Sequence, residues 1–258
     1  MKIERGDWVR SVKDRKRRGF VVSVESKGWA DVRWQGTAKA KNVSKKSLRH
    51  ANPPAVLYLE GNLDSKLHSR RTGMAALCAW CDANNVDFAC KTIHCLEDIK
   101  IIANSLPRAP VFVHVACHGG PDPKDDTGRK AGAFLRFTPQ TGQGQRVYLS
   151  DPKTAAAFNC LVKKGVRDLF LDACFAGRLE RDIDAFREAA KFRFVAAIPR
   201  SIADFESLIV GPCLYHALLN CGLSFNNAVG KVVKAVKVLG IKGAPGRKQA
   251  LIRVFPET

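Results

Sequence analysis

No apolar run in this 258-residue chain approaches the roughly 20 residues that cross a bilayer. The opening MKIERGDWVR also lacks the apolar stretch of a secretory leader. The expected compartment is therefore the cytoplasm, with no membrane span. Nine cysteines, an odd number without a secretion signal, argue against a disulfide framework and for a reducing environment. Neither a Gly-rich dinucleotide fingerprint nor a P-loop is present, which weighs against a doubly wound nucleotide-binding domain. The acidic pair Asp125-Asp126 is too sparse to argue a calcium site, no internal repeat is visible, and no cofactor is implied.

Acidic residues are also few, with 24 Asp and Glu against 43 Lys and Arg and a formal net charge of +19. The excess is concentrated at the start, where residues 1 to 52 hold 15 Lys and Arg against 5 Asp and Glu. Such a field attracts nucleic acid, acidic proteins or anionic surfaces without specifying which. Hydrophobic content of 46% and charged content of 26% fit a folded globular chain with one good core and a small extra module.

That module is residues 1–52. Short strands are expected at Asp7 to Val12, Phe20 to Glu25, Trp29 to Trp34 and around Val43, with Phe20, Val22 and Val24 alternating onto one face. The segment closes at Asn52-Pro53-Pro54 and resembles a small SH3-like (Tudor/KOW-like) barrel, similar to modules that bind nucleic acid or peptide tails. Its basic turn, Lys13 to Arg18, reads equally as a solvated loop or a contact surface. Trp8, Trp29 and Trp34 read as barrel core, with one of them open to use as a stacking platform.

From Ala55 onward the pattern becomes strands alternating with helices, the mark of a mainly parallel sheet. Strands are expected at Ala55 to Glu60, Val86 to Thr92, Val111 to Cys117, Asp168 to Asp172, Phe192 to Ile198 and Leu251 to Phe255, with a hairpin from Phe134 to Leu149. Helices are expected through Cys81, at Leu96 to Leu106, from Asp151-Pro152 to Lys163, at Glu180 to Ala190, Asp204 to Asn220 and Ser224 to Val238.

Two of these strands carry the chemistry. VFVHVACHGG (111–120) ends in His118-Gly119-Gly120, and LFLDACFAG (169–177) ends in Asp172-Ala173-Cys174 with Gly177 after it. In an open α/β sheet, reactive groups gather beyond the carboxyl ends of the strands, so neighbouring strands would bring thiol and imidazole together. A cysteine is only a few per cent thiolate at neutral pH and needs such a base nearby. The pattern resembles the caspase-like cysteine peptidases, in particular the bacterial metacaspase-like and CHAT-type branch. His118 and Cys174 lie 56 residues apart, close to the roughly 50 of eukaryotic caspases. Asp172 stands where caspases carry Gln, and Ala176 replaces a common serine.

The resemblance implies a caspase-like α/β fold over 55–258, a six-stranded sheet sandwiched by helices, and cysteine-type endopeptidase activity. It implies His118 and Cys174 as the catalytic pair, with the N–H groups of Gly119 and Cys174 as oxyanion hole. For substrate binding, Asp172 suits a Lys or Arg side chain, with Glu60 or Asp64 as a second carboxylate. Arg200, or Arg70 or Arg71, could instead pair an aspartate. Similar bacterial proteins serve in defence or programmed death, so the partner expected is a protein or peptide substrate, with nucleic acid or an acidic protein at the N-terminal module. The competing reading is a non-catalytic adaptor binding nucleic acid through that module and Lys231, Lys234 and Lys237.

The remaining cysteines have simpler readings. Cys78, Cys81, Cys90 and Cys95 have the wrong spacing for a closed zinc site, and the helical and strand stripes account for three of them. His114 and Cys117 read as packing residues of the histidine strand, and Cys160, Cys213 and Cys221 as core.

Overall fold

The structure is a computed structural model that describes residues 2–14, 17–25, 28–34, 37, 39–61, 68–120, 133–137, 145–201, 204–238 and 252–256, with the side chains of 68–72 and 204–205 outside that description. The first fifty residues form five antiparallel strands: β1 (Trp8–Ser11), β2 (Arg18–Val24), β3 (Trp29–Trp34), β4 (Lys41–Ser44) and β5 (Leu48–His50), in the order β4-β3-β2-β1-β5. Ile3, Val9, Val21, Ala30, Val32, Trp34 and Leu48 make its core, each 4% exposed or less. β5 was not expected; three residues behind a 3-10 turn at Lys45–Ser47 are too short to show a period. Trp8 and Trp34 are buried as expected, but Trp29 is 45% exposed.

A six-stranded sheet organises the rest. Its strands are β6 (Ala55–Glu60), β7 (Asp87–Thr92), β8 (Phe112–Ala116), β12 (Asp168–Asp172), β13 (Phe194–Ala197) and β14 (Arg253–Phe255), in the order β14-β13-β12-β8-β6-β7. All pairings are parallel except β13 with β14. The sequence-expected strands all form, within one or two residues at each end. β8 and β12 are buried at every position, which is why they read as unbroken apolar runs.

Alternation along these strands feeds two cores. Val113, Val115, Leu169 and Leu171 point to one face, packed by α2 (Leu96–Ser105), α3 (Pro152–Lys163) and α4 (Glu180–Ala190). Phe112, Ala116 and Phe170 point to the other, covered by α1 (His68–Ala83), α5 (Asp204–Tyr215) and α6 (Phe225–Val238). α3 starts where the sequence placed it: Asp151 is the N-cap and accepts from the Lys153 N–H at 2.8 Å, with Pro152 in the first turn. α5 contains Pro212, which has no N–H to give its own turn, and passes into a π-helical turn at His216–Asn220.

A second small sheet leaves the main one beside the histidine. After β8 the chain runs through Cys117 into β9 (His118–Gly120), which pairs with β10 (Phe134–Phe137), itself paired with β11 (Gln145–Tyr148). The expected hairpin is β10 and β11. β9 was hidden in the sequence because two of its three residues are glycines, and the reason for them is space. A Cβ on Gly120 would lie 2.7 Å from Cε1 of Phe134. Among the described residues no helix is long and apolar enough to cross a membrane.

Candidate active site

Parallel pairing of β8 with β12 puts Ala116 opposite Asp172. The Cys117 N–H then donates to the Asp172 carbonyl at 3.3 Å, carrying the pairing past the end of the ladder. The ladder ends there, and two residues further on His118 enters β9, opposite Arg136 of β10, while Cys174 follows β12 by the same two residues. Residues 112, 114 and 116, like 170, 172 and 174, lie toward the face covered by α1, α5 and α6. The tightest mark of this approach is Gly119. A Cβ built there would lie 3.0 Å from both the N and the C of Cys174, and closer still to its carbonyl oxygen. Only a residue without a side chain lets the histidine segment pass this close to the cysteine backbone. Both His118 and Cys174 are half-buried, so the pair sits at the margin of the core.

The backbone around Cys174 is fixed by the segment that follows β13. Phe175 N–H donates to Arg200 O at 3.0 Å and Gly177 N–H to Ile198 O at 2.9 Å. Phe175 itself has φ +62, a left-handed conformation that bulky side chains rarely adopt. Held strain of this kind costs about 1–3 kcal/mol and gathers at functional turns. Gly177 packs with a virtual Cβ 3.1 Å from that of Ala197, so the turn is also pressed against the next strand.

The other sequence-selected residues fall into separate groups. Asp172 is 4% exposed; its Oδ2 accepts from the Ser207 hydroxyl of α5 and stands 3.5 Å from His114 Nε2. His114 is 1% exposed, meets the Tyr215 hydroxyl through Nδ1 at 3.1 Å, and packs its ring against Tyr58 and Phe170. Burial pushes the Tyr215 phenol well above its ordinary range, so it stays protonated and able to donate. The strand bearing Cys174 is thus tied to α5 by Asp172, Ser207, His114 and Tyr215, a network the sequence did not reveal. Its members come from three separate stretches of chain, β8, β12 and α5. Arg200 is 7% exposed and holds Glu206 in a fork, Nη2 to Oε1 at 2.7 Å and Nη1 to Oε2 at 3.1 Å, while Nη1 also donates to Ser201 O at 2.6 Å. Glu60, at the end of β6, is 6% exposed. Asp64 lies outside the described residues, as do the side chains of Arg70 and Arg71.

Among the described residues no group of three or more His, Cys, Asp or Glu could hold a metal ion. Burial holds Cys81 at about 12 and Cys90 at about 11, as expected of thiols within packing. Cys221 differs from the core reading: its Sγ lies 3.5 Å from His216 Nε2. A cysteine and histidine five apart at a helix end gave no signal in the sequence, because only the π-helical turn brings them side by side.

No family model matches the chain. No curated protein matches it at a significant level. Among solved structures, shikimate dehydrogenase of Mycobacterium tuberculosis is 11% identical over 75% of this chain and 96% of its own, with a TM-score of 0.18, too low to carry any argument about fold or activity.

Proposed function

We propose that the chain is a caspase-like cysteine endopeptidase in which His118 and Cys174 form the catalytic pair. The observation that carries this is the β8–β12 register together with the close passage of Gly119 over the Cys174 backbone. The strand order supports it as well. Chemistry in such sheets lies beyond the carboxyl ends of the central strands, and β8 and β12 are the central pair. His118 takes the thiol proton; Cys174 Sγ attacks the scissile carbonyl carbon; the carbonyl oxygen, now anionic, is received by the N–H groups of Gly119 and Cys174. His118 then protonates the leaving amine, and water hydrolyses the acyl-enzyme.

For the residue before the cleaved bond we favour Lys or Arg, with the Asp172 carboxylate as the floor of the pocket. Arg200 supports this choice indirectly, since its guanidinium is already neutralised by Glu206 and offers little to an aspartate. The five-stranded N-terminal sheet supports an SH3-like recruiting module, and half-exposed Trp29 gives it one aromatic face to present. A role as a regulated effector in bacterial defence or cell death rests on the resemblance alone.

The test is incubation of the full chain with a mixed peptide library, with and without nucleic acid, beside Cys174→Ala. Cleavage after Lys or Arg that is lost in the variant is the expected result. Cleavage after Asp would reassign the pocket and keep the pair; cleavage unaffected by Cys174→Ala would overturn the proposal. The adaptor reading predicts salt-dependent nucleic-acid binding with no thiol-dependent cleavage.

A further inference from the structure

A second cysteine–histidine pair lies on the α5/α6 side of the molecule, at a cleft of about 590 Å³ bounded by α5, the π-helical turn and α6. That volume falls within the roughly 300–1,000 Å³ of small-ligand pockets. The lining is mainly apolar, with Pro212, Ala217, Leu223 and Val232 among its residues. Four groups in it have chemistry: Cys213, Cys221, His216 and Lys231; burial pushes the Cys213 thiol up, which leaves Cys221 as the cysteine with a histidine beside it.

A chain of hydrogen bonds orients the imidazole. Asn84 Nδ2 donates to the Trp80 carbonyl at 2.7 Å, which fixes its amide and leaves Oδ1 to accept from Asn220 Nδ2 at 2.8 Å. Asn220 Nδ2 is also 3.4 Å from His216 Nδ1. With an amide N–H aimed at it, Nδ1 is the acceptor nitrogen, so the ring proton sits on Nε2. Nε2 faces Cys221 Sγ at 3.5 Å. An N–H directed at sulfur orients it toward the cleft. The π-helical turn holds the pair, with Cys221 N–H bonded to His216 O at 3.0 Å; irregular turns of this kind are frequent at functional sites.

Charge marks one side of the cleft. Lys231 lines it, and Lys234 and Lys237 follow at successive three-residue steps on exposed positions of α6. A cysteine between an apolar cleft and exposed lysines fits a molecule with an apolar tail, a thiol-reactive carbonyl and an anionic carrier.

We propose that Cys221 is an acylation site that accepts a long acyl chain from a phosphate-bearing acyl thioester, with the chain lodged in the cleft. The Cys221 thiol releases its proton to water, its thiolate attacks the thioester carbonyl, and the carrier thiolate departs and takes a proton from water. One thioester is exchanged for another, so no oxidant or reductant enters. His216 and Asn220 orient and stabilise the sulfur, and Lys231, Lys234 and Lys237 receive the carrier's phosphates. The site is separate from Cys174 and independent of peptidase activity.

The experiment uses the full chain with alkyne-tagged long-chain acyl-coenzyme A, read by intact mass, tag coupling and peptide mapping, with release by neutral hydroxylamine to identify a thioester. The expected result is one label per chain on Cys221, lost in Cys221→Ser and kept in Cys174→Ala. Labelling should slow at least roughly tenfold in His216→Ala, the size of one lost hydrogen bond to a charged atom. Ala235→Trp narrows the cleft while keeping the pair; it should slow the long-chain donor and leave an acetyl donor unchanged. Labelling on another cysteine, equal rates with acetyl and long-chain donors, or no labelling of the folded chain would overturn the proposal.

Discussion

Gly119→Ala is the sharpest perturbation of the candidate site, because the obstacle it creates is backbone. The new methyl would meet Cys174 N and C at 3.0 Å, with the carbonyl oxygen nearer still. A side chain in the way could change rotamer; here the turn at Cys174 is held to Ile198 and Arg200 by the N–H groups of Gly177 and Phe175, so one strand end must move. Overpacking in well-filled regions costs about 1–3 kcal/mol, and a fixed backbone neighbour puts this case near the top of that range. Displacement by about 1 Å also misaligns thiol and imidazole, so alkylation of Cys174 should slow toward the roughly tenfold loss expected when the imidazole is removed. Urea unfolding and residue-resolved alkylation of Cys174 give both numbers from one preparation. Gly230→Ala is the control: it sits exposed in α6 with nothing within 4 Å of the added carbon, and should stabilise by about 0.5–1 kcal/mol. If Gly119→Ala unfolds at the same urea concentration as the parent and Cys174 reacts at the parent rate, the two strand ends do not meet as described.

Three other outcomes follow. Glu206→Ala leaves Arg200 buried without its forked partner and should lose about 3–5 kcal/mol by urea unfolding, whereas an exposed pair such as Lys100–Glu97 should give under about 1 kcal/mol when broken. Asp172→Ala removes the acceptor shared by Ser207 and stands off His114, and should cost about 1–3 kcal/mol; an unchanged unfolding midpoint would mean the network does not hold β12 to α5. Cys81 and Cys90 are held at about 12 and 11 by burial, so their thiols stay protonated until high pH. Alkylation of the folded chain at pH 8 should therefore spare both, with labelling rising only as pH climbs toward those values; ready labelling at pH 8 would contradict their packing.

Much of the fold was readable because β8 and β12 are buried on both faces and α3 carries its own start signal, so local composition and tertiary position agree. The positions of His118 and Cys174 were readable for the same reason, each following an apolar run. What could not be read is what depends on partners distant in sequence. Asp172 looks in the sequence like a free carboxylate beside a nucleophile, yet its neighbours Ser207, His114 and Tyr215 come from other elements. Arg200 likewise looks available until Glu206 is seen to hold it. β9 and β5 are three residues each, below the length at which a period of two can appear. The pairing of Cys221 with His216 depends on one extra residue in a helical turn, a feature of backbone geometry with no sequence signature here.

The most direct measurement is the alkylation rate of Cys174 at neutral pH in the parent chain and in His118→Ala, with Cys221 followed in the same digest as an internal reference. The account predicts that Cys174 slows by on the order of tenfold or more when the imidazole is removed, while Cys221 keeps its rate. Equal Cys174 rates in the two proteins would contradict it.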